Sequence, residues 1–145
     1  MGWWGYYDSE EDGVVDGYLD ILDKMNLPIN KPVPQDRLEE MYTHLRLEGE
    51  FIAGMLLLHI QNQIGDPICS LMQCIATGTT PFANITNSIT YIPIDLLTAA
   101  ANNVRDNLKD DQGGWDDNNA RIRALNHELW LFTCGKEGCL PENSR

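Results

Sequence analysis

Apolar residues recur at Val14, Val15, Tyr18, Leu19, Leu22 and Met25, and Asp12, Asp16, Asp20 and Asp23 fall between them. Spacing of three and four residues predicts an amphipathic helix. Ser9 is its expected cap, with Asp12 as a box-like partner, and Glu10 and Glu11 suit the positive end of the helix dipole. Three prolines in NLPINKPVPQ, residues 26–35, then predict an extended connection. A second helix is predicted over residues 36–47, with Leu38, Met41, Tyr42 and Leu45 at core spacing and Arg37, Glu39, Glu40 and Arg46 mostly outward.

FIAGMLLLHIQNQI, residues 51–64, is apolar on nearly every side over its first eight positions, the pattern of a helix enclosed by its neighbours. DPICSLMQCIATG follows, with Asp66 as N-cap, Pro67 at the first helical position and Gly78 as a stop, and predicts another buried helix. In TTPFANITNSITYIP the pattern changes. Ile85, Asn87, Ile89 and Tyr91 alternate with Thr86, Ser88 and Thr90 as in a strand, but a lone strand has no partner. The expectation is a long irregular loop near residues 78–93.

Helical spacing returns at Leu97, Ala101, Val104 and Leu108. Beyond the acidic turn DDQGGWDDNN it returns again at Ile122, Leu125, Leu129 and Phe132, capped by Asp116 or Asp117 and stopped by Gly135. These elements predict an all-α, single-domain bundle of five or six helices over residues 1–145, packed around Phe51 to Ile75. An aromatic N-terminal segment, 1–8, precedes it and a loose tail, 136–145, follows.

Charge sharpens this picture. Twenty-two acids against ten bases give a net charge of -12, which repels phosphate backbones and anionic membranes. Direct nucleic-acid or membrane binding is therefore not expected. Residues 1–23 hold seven acids, Asp8, Glu10, Glu11, Asp12, Asp16, Asp20 and Asp23, and no base. Like charges at i, i+4 cost about 0.2–0.5 kcal/mol each, so keeping a helix face wet does not explain why every one is negative. These seven are the candidate contacts for a basic partner. From Phe51 to Val104, by contrast, only Asp66 and Asp95 carry a full charge, so that stretch is either core or a self-association surface. The N-terminus lacks the basic n-region of a secretory signal, and the longest apolar run is too short to span a bilayer. A cytoplasmic protein is expected.

Little in the sequence points to catalysis. The three histidines are preceded at i−3 by Met41, Leu56 and Ala124, so the Glu-x-x-His pairs of a di-iron bundle are missing, as is HExxH. Glu40, His44 and Glu48 lie four apart and are the one candidate metal set, for Zn or Mn, if a helix runs through all three. No nucleophile elbow or phosphate-binding glycine loop occurs, no cofactor is implied, and His59 within an apolar run reads as a core histidine. Cys69 and Cys74 cannot pair across one helix, whereas CGKEGC at 134–139 could close a small loop; a reducing compartment favours free thiols in both. The aromatics Trp3, Trp4, Tyr6 and Tyr7 fit either a lid over the bundle or a set of contact hot spots.

The opening residues MGWWG followed by YYDSEEDGVVDGYLDIL resemble the start of the DUF4259 family of small proteins, through Gly2, Trp4, Gly5, Tyr7, Asp8 and Glu10. The family's glycine between Trp-Gly and the following aromatic is missing, and RIRALNHELW carries a faint further echo. The resemblance implies no activity. The expected role is that of a non-enzymatic acidic helical protein engaging a basic protein partner, in a sharper form as a DNA-mimicking inhibitor or immunity factor. The rival expectations are a metal-dependent enzyme built on Glu40, His44 and Glu48, and a structural or virion assembly subunit that pairs with copies of itself.

Overall fold

A computed structural model describes residues 5–65, 71, 72, 75, 82–110 and 117–139. Six α-helices lie among them: α1 (Asp12–Lys24), α2 (Leu38–Leu45), α3 (Ile52–Ile64), α4 (Phe82–Thr90), α5 (Ile94–Asp110) and α6 (Asn118–Phe132). Short 3-10 turns at Asp8–Glu10, Gln35–Arg37 and Gly49–Phe51 lead into the first three. The class is all-α, as the periodicity predicts, with no strand element among the described residues.

The apolar stretch after Phe51 becomes the centre of the molecule. α3 buries Ile52, Ala53, Gly54, Met55, Leu56, Leu57, His59 and Ile60, and packs against α1, α2, α4, α5 and the first 3-10 turn. α6 packs in turn on α5. One approach is so close that only glycine fits: a Cβ on Gly54 would lie 2.6 Å from the Asp8 carbonyl oxygen and 2.8 Å from Val14 Cγ1. That contact seats the acidic 3-10 turn against the central helix.

Three expectations change. The first concerns the start of α1, where Ser9 is buried in the 3-10 turn and the cap is Glu11. Its carboxylate accepts from the amides of Gly13 at 3.0 Å and Val14 at 3.2 Å. The extra turn delays the helix until the side chain at 11 can reach its free N–H groups.

The second concerns the loop expected near 78–93, much of which is α4. Ile85 and Ile89 are buried, and so is Ile92 beyond the helix end. Ile85 and Ile89 satisfy period two and period 3.6 equally, and burial against α3 selects the helix. The predicted helix over 66–78 lies largely outside the described residues, although Leu71, Met72 and Ile75 are helical and buried.

The third concerns the tail. Residues 136–139 are tied back onto α5 and α6, while 140–145 lie outside the description. Cys139 N–H donates to the Asn126 carbonyl at 3.1 Å, and Glu137 pairs with Arg105. Cys134 and Cys139 are exposed free thiols.

Candidate functional site: the acidic face and its buried root

Structure divides the seven N-terminal acids into two groups. Asp16, Asp20 and Asp23 are exposed on α1 at i, i+4 and i+7, so they share one face. Lys24 reaches Asp20 at 3.1 Å, with both side chains more than half exposed, an ion pair worth only a few tenths of a kcal/mol. Asp12 is half-buried in the first turn. Glu11 is spent on its cap, and Glu10 accepts from the Tyr7 amide at 3.3 Å. Burial pushes the Glu10 pKa up, against the lowering effect of that amide.

Asp8, expected in the outward stripe, turns inward and is 7% exposed. The reason is Arg121 on α6, whose guanidinium is itself 1% exposed and cannot sit there without an anion. Nη2 of Arg121 meets Asp8 Oδ1 at 2.9 Å, and Nη1 donates to the Tyr6 carbonyl at 2.7 Å. Seven residues further along α6, Glu128 is fully buried, and its Oε2 accepts from the Asp8 amide at 2.9 Å.

Two oxygens in this cluster, Asp8 Oδ2 and Glu128 Oε1, are enclosed without a hydrogen-bond partner. Burial drives the Glu128 pKa well up; the Asp8 charge and carboxyl contact push the same way, against the Asp8 amide and Arg121. Held protonated by these surroundings, the Glu128 carboxyl can lie against the Asp8 carboxylate without like-charge repulsion. Beside them, Tyr7 Oη lies 2.7 Å from His127 Nδ1. Burial first, and the Glu128 and Glu10 carboxyls after it, push the Tyr7 hydroxyl pKa up, so it stays protonated.

The acidic turn is thus fastened to α6 by two charged side chains that border its apolar face. In the sequence Arg121 reads as rare positive charge, and the spacing of Ile122, Leu125, Leu129 and Phe132 accounts for the helix without either Arg121 or Glu128. The available signal is the imbalance itself, since a base-free segment folded into a core requires a cation from elsewhere and few exist.

Beside the buried Asp8–Arg121 pair lies a pocket of about 240 Å³, also lined by Glu11, Glu50, Phe51 and Asn107. Glu50 and Phe51 are exposed beside it. The candidate metal set does not assemble. α2 ends at Leu45, which leaves Glu48 off the face of Glu40 and His44, and Glu40 instead pairs with Arg37 at 2.8 Å. Among the described residues no group of three His, Cys, Asp or Glu side chains is placed to hold a metal, and no helix is long and apolar enough to cross a membrane.

No protein-family profile, curated protein or solved structure matches the chain.

Proposed function

We propose that the chain is an acidic helical binding protein that engages a basic protein surface through α1. The observation that carries this reading is the placement of Asp16, Asp20 and Asp23 in solvent on one helical face, offset within α1 by Lys24 alone. Such a face raises encounter rate and selects partners more than it adds affinity. The pocket at the start of α1 complements it. Glu50 and the Phe51 ring would hold a Lys or Arg side chain from the partner, by charge and by contact with the aromatic face.

In the sharper form of this reading the partner is a nucleic-acid-binding protein, and carboxylates repeating along a helix take the place of phosphates. The test is a low-salt pull-down with the wild type and with Asp16→Asn/Asp20→Asn/Asp23→Asn. Basic proteins should be recovered by the wild type, released by salt and lost in the triple variant. Recovery of neutral or acidic partners alone sinks the proposal.

A second reading, association with copies of itself, is favoured by one patch. Leu47, Tyr91 and Ile94 are 81%, 72% and 76% exposed. An Arg46–Asp95 ion pair at 2.8 Å brings the stretches that carry Leu47 and Ile94 together.

A further inference from the structure

A second pocket, of about 320 Å³, lies between residues 33–38, α2, α3 and the stretch after α4, within the size range of small-molecule sites. None of the acidic-face residues lines it, and among the described residues its walls carry no Asp, Glu, Lys or Arg. In a chain of net charge -12 that is a distinct environment. Val33, Leu38, Ile60 and Ile92 supply apolar wall, and His59 supplies a polar group.

His59 is 1% exposed, and burial lowers its pKa to about 4, so the ring is neutral at pH 7. Its tautomer follows from the hydrogen bonds behind it. Asn62 Nδ2 donates to Tyr18 Oη at 3.3 Å, and Tyr18 Oη lies 3.3 Å from His59 Nδ1. The Tyr18 hydroxyl is buried and Nδ1 is the acceptor that its hydrogen can reach among the described residues, an arrangement that assigns the ring proton to Nε2.

Nε2 has no hydrogen-bond partner among the described residues, and it is not one of the enclosed orphan atoms, which are Asp8 Oδ2 and Glu128 Oε1. It therefore opens onto the pocket that His59 lines. Two of the neighbouring polar side chains are already committed. Tyr42 Oη donates to the Tyr91 carbonyl at 3.1 Å, and the Gln63 amide bonds both backbone groups of Val33.

We propose that this pocket binds a small uncharged molecule bearing a hydrogen-bond acceptor, gripped by the Nε2 hydrogen of His59, with its apolar part against Val33, Leu38 and Ile60. An anion would find no cation in the walls and a cation no carboxylate, and either would lose its hydration.

Three shape-matched probes separate these cases: acetophenone, a neutral acceptor, benzoate and benzylamine. Each is titrated into the ¹⁵N-labelled full chain while the histidine ring nitrogens are followed by long-range ¹H–¹⁵N spectra. The expected result is an Nε2–H tautomer at His59 and a saturable shift of that nitrogen with acetophenone, with both charged probes at least about tenfold weaker. His59→Phe, which keeps a ring and loses the donor, should weaken acetophenone by about tenfold. Tyr18→Phe is the second variant, because Tyr18 does not line the pocket; it should mix the tautomers and weaken the probe while the fold persists. An Nδ1–H tautomer in the wild type, no saturable shift with acetophenone, or equal binding of benzoate would each overturn the proposal.

Discussion

The residue that departs furthest from its sequence pattern is Asp8, and what surrounds it has a measurable signature in pH. Between its ordinary value of 4.5 and its folded pKa, which burial pushes well above that, Glu128 takes up a proton on folding. Its stabilising contribution is therefore complete below pH 4.5 and is lost as pH rises through the folded pKa, at up to about 1.4 kcal/mol per pH unit. In Glu128→Gln the side-chain carbonyl can still accept from the Asp8 amide, with no proton to lose. Urea unfolding across roughly pH 5 to 8 should show the variant gaining on the wild type by about that slope; parallel curves would place an ionised Glu128 in the fold. Neither Asp8 nor Arg121 announces this pairing locally, since 113 residues separate them. Local periodicity carries no information about contacts of that range.

Helices were legible where one apolar face repeats without ambiguity. α1, α3, α5 and α6 follow from Val14 to Met25, from Phe51 to Ile64, from Leu97 to Leu108 and from Ile122 to Phe132. α4 was not, because isoleucines four apart among Thr, Ser and Asn fit two periods at once, and only packing against α3 decides between them. Packing between elements is also where a single methyl has leverage. Gly54→Ala puts a carbon against the Asp8 carbonyl and Val14, neither a flexible tip, so α3 and the acidic turn must separate. A loss of about 1–3 kcal/mol is expected. Hydrogen exchange should show the Asp8 amide losing protection ahead of the α5 and α6 helical amides, and uniform loss across the chain would mean that this contact does not govern the turn.

At the scale of the whole molecule, the near-neutral middle of the chain is core in α3 and much of α5, yet it leaves Leu47, Tyr91 and Ile94 as large apolar side chains in solvent at its margin. If these form a contact between copies, light scattering should give a mass that rises with concentration, and Tyr91→Asp/Ile94→Asp should return it to 16.4 kDa. A wild type that is monomeric at high concentration removes that reading. The Asp8–Arg121 pair sets one more constraint, on birth order. As the ribosome makes this chain, α1 and α3 emerge well before Arg121 and Glu128. Until those arrive, the turn that carries Asp8 can rest on α3 only with its carboxylate lacking the guanidinium it later meets.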